Sequence, residues 1–231
     1  MFDPRIPFDA APWRLSGVIY GTLMNDAATL AALGDLVHHA PYKAPPTAPV
    51  LFVKPRNTLA LSGTQVRVSA DAGEFEIGAS LGLVIGRTAC RLSEENAIEH
   101  LAGYTLVADL SVPHDSFYRP SIRFKARDGS CLIGPRVVCG AALPRPDELS
   151  IDVSIDGAVV HTAGTSGMQR SVAKLLASVT DFMTLRPGDV LMLGVAAGAP
   201  RAHAGQRFAI EADGLGRLEG VLVSEPIEAA A

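Results

Sequence analysis

The sequence predicts an α+β fold built on a mixed, rolled β-sheet with short helices on its flanks. Two observations carry this. Short apolar or alternating runs, bounded by Gly, Pro, Asp and Asn, recur along the whole chain, as strands do. Only two or three stretches space their apolar residues at the helical period. With 231 residues, 48% of them hydrophobic, the chain can bury one large core. The expected organisation is an arm over residues 1–14, one domain over 15–226 and a short tail over 227–231.

Taken in order, Met1 to Pro12 reads as an irregular arm, and Leu15 to Gly21 as a short buried strand. Asn25 or Asp26 caps a helix over Ala27 to Val37, because either side chain can accept from free helix amides. The prolines between Pro41 and Pro49 exclude regular structure. Val50 to Lys54 is a strand, and Gln65 to Ala70 alternates as a half-buried strand does. Glu74 and Glu76 read as exposed acids near a turn, and Leu81 to Gly86 as a buried strand. Ser93 caps a helix that carries Glu94 and Glu95 in its first turn, where the positive helix end favours them. Tyr104 to Ser111 is another strand. Leu149 to Ala163 is a hairpin turning at Asp156-Gly157. Thr165 or Ser166 caps a helix whose stripe is Val172, Leu175, Leu176, Val179, Phe182 and Met183. After a Pro187-Gly188 turn, Asp189–Gly194, Gln206–Ala212 and Arg217–Val223 give three strands.

Composition narrows the function. A net charge of −4 argues against nucleic acid as the partner. No apolar run approaches the roughly 20 residues that span a bilayer. The first residues, MFDPRIPFDAAP, lack the apolar centre of a secretory signal. The three cysteines cannot all pair within the chain and have no metal-motif spacing, so a reduced, cytoplasmic setting is expected.

Ionisable residues concentrate after the Tyr104 strand. Asp109 lies near its end; His114, Asp115, Arg119, Arg123, Lys125, Arg127 and Asp128 follow, mixed with Phe117, Tyr118 and Phe124. Unpaired charges cost several kcal/mol away from water, so this loop lies at the surface or lines a wet cavity. Its cations suit a substrate with several carboxylates. A merely solvated loop is the competing reading.

GYTLVADLS at Gly103–Ser111, FYRPSIRFKARDG at Phe117–Gly129 and CLIGP at Cys131–Pro135 resemble the fumarylacetoacetate hydrolase family. PYKAPPTAPVLFVKPRNTL and DFMTLRPGDVLMLG match as well, and the likeness runs from Gly17 to Glu225. Within the family, the chain is similar to the isomerase/decarboxylase branch of homoprotocatechuate (4-hydroxyphenylacetate) breakdown, in its N-terminal half or subunit. The resemblance implies a β-roll or sandwich core of that type with short flanking helices, and a dimer. It implies a cytoplasmic enzyme that decarboxylates 5-oxopent-3-ene-1,2,5-tricarboxylate or isomerises 2-hydroxyhepta-2,4-diene-1,7-dioate through a dienolate.

The family's usual cofactor is Mg²⁺ or Mn²⁺, held by a Glu-x-Glu pair and an Asp, since hard divalent cations prefer oxygen ligands. Asp109 matches the Asp. The pair falls on Gly78 and Ser80, which supply no carboxylate, so no tightly bound metal is expected and Asp109 would be the sole family ligand. The family's His near the first strand is replaced within Asn25-Asp26-Ala27-Ala28-Thr29, and its Gly-Thr-Pro becomes Gly194-Val195-Ala196. His38 and His39 are placed at a helix end, without a catalytic role. Lys125 is retained; it and Asp109 are the expected catalytic residues, with Arg119, Arg127 and Tyr118 binding substrate. Lys125 is expected to be unpaired and to contribute little to stability, and Cys131 to be a small buried residue. Expected partners are a small polycarboxylate 2-oxo or 2-hydroxydienoate, and either a second copy or a metal-binding homologue. The alternative is a catalytically decayed subunit that scaffolds that homologue. Acylpyruvate hydrolysis ranks last, because it needs the metal and the missing His.

Overall fold

A computed structural model describes residues 6–8, 11, 14–118 and 122–225. Thirteen strands follow in chain order: β1 (Ile19–Leu23), β2 (Val50–Lys54), β3 (Leu59–Leu61), β4 (Gln65–Val68), β5 (Glu74–Ile85), β6 (Leu101–Ser111), β7 (Cys131–Val138), β8 (Ser150–Ile155), β9 (Ala158–Gly164), β10 (Val190–Met192), β11 (Arg201–His203), β12 (Arg207–Ala212) and β13 (Gly216–Ser224). The α-helices are short: α1 (Ala27–Ala32), α2 (Glu94–Ala97), α3 (Ile122–Lys125) and α4 (Val172–Thr180). The larger sheet runs β2-β1-β10-β5-β6-β7-β3, with β11 also paired to β5. The smaller runs β4-β13-β12-β8-β9. Parallel pairs (β1 with β10, β3 with β7, β4 with β13) sit among antiparallel ones, so both sheets are mixed, as expected.

The two long strands β5 and β6 divide the molecule. Successive side chains on a strand point to opposite faces. Phe75, Ile77, Leu81, Leu83 and Ile85 of β5, with Tyr104, Leu106 and Leu110 of β6, face the main core. There they meet Phe208, Ile210, Leu218 and Leu222 of the smaller sheet and the buried stripe of α4. The alternate residues face the other side. Val84 and Val107 join Ile19, Phe52, Cys131 and Val190 in a second apolar cluster. Gly78, Ser80 and Asp109 lie on that second face, with Gly78 directly opposite Asp109. Burial on both faces accounts for the near-continuous apolar reading of these strands.

Several expectations shift. The buried strand begins at Glu74 rather than Leu81, so Glu74 and Glu76 are strand residues, paired across to β11. β3, β7 and β11 were not read from the sequence. The helix after β1 ends at Ala32, and a 3₁₀ turn covers Gly34–His38. Gly34 is left-handed at φ 48°, a conformation that ends an α-helix and costs glycine little. Asp26 is its cap, accepting from Thr29 N, while Asn25 bridges to Arg170 and Leu193 O. Ser171, not Thr165 or Ser166, caps α4. Thr165 Oγ1 is committed to Pro146 O and Leu149 N. Because α4 ends at Thr180, Phe182 leaves the stripe and is 60% exposed. The helix after Ser93 is one turn long. The hairpin turn is as expected, with Asp156 at φ 50° and Gly157 at φ 87°. In the arm, Ile6 is buried and Pro7 O accepts from Val137 N; residues 227–231 of the tail lie outside the described residues.

One glycine sets up the site. Gly21 of β1 pairs with Phe52 of β2. A Cβ at Gly21 would fall within the Phe52 ring, so the ring lies flat across the neighbouring strand only because no side chain is there. Phe52 in turn has the Lys125 ammonium 4.7 Å from its ring centre. We expect Gly21→Ala to cost about 1–3 kcal/mol through overpacking. Urea unfolding should show a lower midpoint at unchanged slope; an unchanged midpoint would mean that Phe52 moves freely.

Candidate active site

Asp109 stands on β6 among apolar neighbours and is 1% exposed. A carboxylate there requires compensating charge, since an isolated buried ion is prohibitively costly. Two lysines supply it. Lys54, the last residue of β2, is 0% exposed and places Nζ 2.7 Å from Asp109 Oδ1. Lys125, the last residue of α3, places Nζ 2.8 Å from Oδ2. Two ammoniums against one carboxylate leave this three-residue cluster with a single net positive charge.

The lysines differ in what else they do. Lys54 Nζ donates to Leu110 O at 3.0 Å and Lys125 O at 2.6 Å, with Ser130 O and Oγ each at 3.3 Å. An ammonium has only three protons. They are aimed at these oxygens, so Lys54 meets Asp109 Oδ1 as a charge, off the hydrogen-bonding direction. Lys54 thus ties β6 and α3 to β2. Lys125 makes a true hydrogen bond to Asp109 and also lines a cavity of about 250 Å³. Burial pushes the Asp109 carboxyl up, but the charges of Lys125 and Lys54, with the hydrogen bond from Lys125, outweigh it and hold it below its usual value.

Asp109, Glu76, His114 and Phe117 share the cavity wall with Lys125. Thr22 and Leu33 close one side and residues 195–199 another. Asp26 Oδ2 joins those two sides, accepting from Thr29 N at 2.7 Å and Ala197 N at 3.1 Å. Lys125 is the only Lys or Arg among the described lining residues. Among the described residues the cation-rich loop therefore delivers the Lys125 ammonium to the cavity, and that ammonium is paired, contrary to the sequence expectation. Lys125 holds the fold as well as lining the cavity.

The remaining expected residues scatter. Arg127 Nη2 binds Asp71 at 2.8 Å and lines a separate hollow with Arg67 and Ser69, so it is not a ligand of this cavity. Tyr118 is 46% exposed and sits edge-on to Tyr42, outside the lining. Arg119 falls outside the described residues. Lys54 was read only as a strand end, Glu76 as an exposed acid near a turn and His114 as one ionisable residue of the loop, none of them as a site residue. The signal for Lys54 was Asp109 itself, a carboxylate in an apolar strand that needs a buried partner.

The residues present do not fit the family's divalent metal. Both Asp109 oxygens face ammoniums. A Cβ at Gly78 would stand 2.8 Å from Asp109 O and 2.9 Å from Val195 Cγ2, leaving no space for a carboxylate side chain. Ser80 Oγ accepts from Gly194 N at 3.2 Å. Glu76 reaches the same cavity, correcting its reading as an exposed acid near a turn, but its Oε1 is 3.8 Å from Arg201. Among the described residues, no three His, Cys, Asp or Glu side chains converge on a point that could hold a metal ion.

Lys54→Met should destabilise the protein by about 3–5 kcal/mol, because it leaves one oxygen of a buried carboxylate without its cation and several carbonyls without their donor; equilibrium unfolding would measure this, and a loss under about 1 kcal/mol would deny Lys54 that role. Cys131 pairs with Asp109 across β6 and β7, and burial pushes its thiol up to about 12. Thiol titration of the native protein should reach exposed Cys90 but leave Cys131 unmodified until denaturant is added.

No helix among the described residues is long and apolar enough to cross a membrane. The fumarylacetoacetate (FAA) hydrolase C-terminal family matches residues 18–223. The 4-hydroxyphenylacetate degradation bifunctional isomerase/decarboxylase of Escherichia coli is 38% identical over 212 residues, covering 91% of this chain and 48% of that protein. The chain thus spans about half the length of that curated relative. Among solved structures, 5-carboxymethyl-2-hydroxymuconate delta-isomerase from Mycobacterium smegmatis superposes with TM-score 0.77 at 25% identity, over 92% of this chain and 80% of that one. Fumarylpyruvate hydrolase from Pseudomonas aeruginosa, in complex with Mn²⁺ and pyruvate, shares the fold with TM-score 0.79 at 24% identity, over 96% and 97%. The matched span takes in both long strands, Asp109 and Lys125, and the chain belongs to the fumarylacetoacetate hydrolase family.

Proposed function

We propose that the chain is a decarboxylase and isomerase of 4-hydroxyphenylacetate breakdown that stabilises a dienolate with Lys125 instead of a metal. Its substrates would be 5-oxopent-3-ene-1,2,5-tricarboxylate and 2-hydroxyhepta-2,4-diene-1,7-dioate. The observation that carries the reading is the Lys125 ammonium, held by Asp109 over Phe52 at the wall of the cavity. The bifunctional E. coli relative supports the choice of reaction.

In the decarboxylation, the bond from C2 to its carboxylate carbon breaks and CO₂ leaves. The electron pair moves through the C3–C4 double bond into the 5-oxo group, whose oxygen becomes an enolate. A fixed cation beside that oxygen stabilises charge that exists only after the bond begins to break. Lys125 spends one proton on Asp109 and has two left for such an oxygen. Lys54 keeps the pair in place from behind, and the apolar ring of Phe52 shields it from water.

A second reading is favoured by Gly78 and Ser80: a partner subunit that binds a metal-binding homologue and has lost its own chemistry. One assay separates the two readings. Purified chain should release CO₂ from the tricarboxylate and consume the dienol in the presence of excess EDTA, alone or as a homodimer. Activity that appears only with the homologue, and disappears with EDTA, would establish the second reading. In the active protein, Lys125→Met should lower turnover about 10- to 100-fold, since a charged hydrogen bond is worth about 1.5–3 kcal/mol. Arg127→Met should leave the Michaelis constant unchanged, because Arg127 faces Asp71 rather than the cavity. Unaltered turnover in Lys125→Met would remove this cavity as the site.

A further inference from the structure

The proposed chemistry requires a group that moves a proton, and the helix position where the family carries its His offers none. Asp109 is a poor base here, since two ammoniums stabilise its ionised form. Glu76 faces Arg201. His114 has a different environment. It follows β6 in the charged loop and lines the same cavity as Lys125. Its Nδ1 lies 2.9 Å from Val112 O. A carbonyl only accepts, so Nδ1 carries the hydrogen and a neutral ring presents a lone pair at Nε2. The ring stacks on Phe124, with centroids 5.2 Å apart and planes 22° apart, and meets Phe117 edge-on at 6.2 Å. Nε2 is buried and has no hydrogen-bond partner among the described residues. A shielded, unpartnered nitrogen on a ring held by a hydrogen bond and two aromatic contacts is costly, and a substrate hydroxyl reaches it by displacing the side chains that cover it.

We infer that His114 is the catalytic acid–base of this cavity, an inference that rests on the proposed dienolate chemistry. In the isomerisation, Nε2 takes the hydrogen of the substrate's 2-hydroxyl group. The C2–O bond becomes a carbonyl, and the C2–C3 pair shifts to C3–C4. The C4–C5 pair then takes the proton back from Nε2, forming a C5–H bond. One proton leaves oxygen and one arrives at carbon, the imidazole ends neutral, and no oxidant is needed. Lys125 holds the oxygen while the charge is on it.

The probe is 2-oxohept-3-ene-1,7-dioate, the product of the proposed isomerisation, in D₂O. Wild-type protein should bind it and exchange its C5 hydrogens for deuterium, read by NMR. His114→Asn retains an N–H for Val112 O and removes the basic nitrogen. It should bind the probe within about twofold of wild type but exchange it about 100-fold more slowly, the scale of general acid–base catalysis. His114→Ala should regain exchange when imidazole is added, which a merely structural histidine would not allow. Lys125→Met should exchange about 10- to 100-fold more slowly and gain nothing from imidazole. Wild-type protein that binds the probe without exchanging C5, exchange by His114→Asn at the wild-type rate, or no imidazole rescue of a folded His114→Ala would overturn the assignment while leaving the decarboxylation to its own assay. Wild-type protein that fails to bind the probe at millimolar concentration would overturn both.

Discussion

The Lys54–Asp109–Lys125 cluster is the constraint around which the rest of the site is arranged. A carboxylate buried near the end of β6 is tolerable only with cations on both oxygens. One of those cations comes from β2 and the other from α3, so three separated stretches must be in place before the charge is compensated. Folding favours the ionised form of Asp109. By linkage, that stabilisation is present above the ordinary carboxylate pKa and is lost as pH falls through the lowered folded value. The cluster therefore stabilises the protein at neutral pH and weakens it in strong acid. Lys54 adds a structural bond that carries no charge balance: its hold on Lys125 O fixes the end of α3 and hence the start of the Lys125 side chain.

The two faces of β5 and β6 separate stability from chemistry. On the face toward the smaller sheet, every alternate residue is apolar and buried. On the opposite face, the row runs from Val84 through Gly82 and Ser80 to Gly78 and Glu76, becoming smaller and then acidic toward the cavity. Gly78 admits Val195 against the backbone beside Asp109, and Ser80 holds Gly194. The space that a pair of acidic side chains would need is filled by the loop after β10. In this chain the small residues at 78 and 80 and the packing of that loop depend on each other.

Much of this was legible in the sequence, and the exceptions have physical causes. LGLVIG and the α4 stripe were readable because burial on one or both faces dictates apolar residues at a fixed period. The acid half of β5, EFEIGAS, was not, because two glutamates and a glycine resemble a turn when the partner strand β11 is unknown. Ser171 was hidden by Thr165 and Ser166, which have equal capping chemistry but other partners. Asp109 and Lys125 stood out through their motifs, and they do come together. Arg127 looked like a ligand because composition cannot show that Asp71, far off in sequence, takes its guanidinium. Lys54 escaped notice because a lysine at a strand end usually extends its ammonium into water. Only the closure of β2 over α3 turns it inward.

A single ammonium does not replace a divalent cation atom for atom. A divalent cation such as Mg²⁺ would demand oxygen ligands at near-octahedral angles, whereas a lysine is a point charge with three protons and no such geometric demand. Under the proposed chemistry, orientation must then come from the cavity wall and not from chelation. The distribution of charge suits that division. With Lys125 as the only Lys or Arg among the described lining residues and Glu76 also on the wall, the cavity is electrostatically lopsided. Decarboxylation moves negative charge from the departing carboxylate to the enolate oxygen. A second cation beside the carboxylate would stabilise the ground state as much as the first stabilises the product-like state, and the barrier would not fall. A cation at the receiving end, where this reading puts Lys125, stabilises the charge that arrives there and so lowers the barrier to this step.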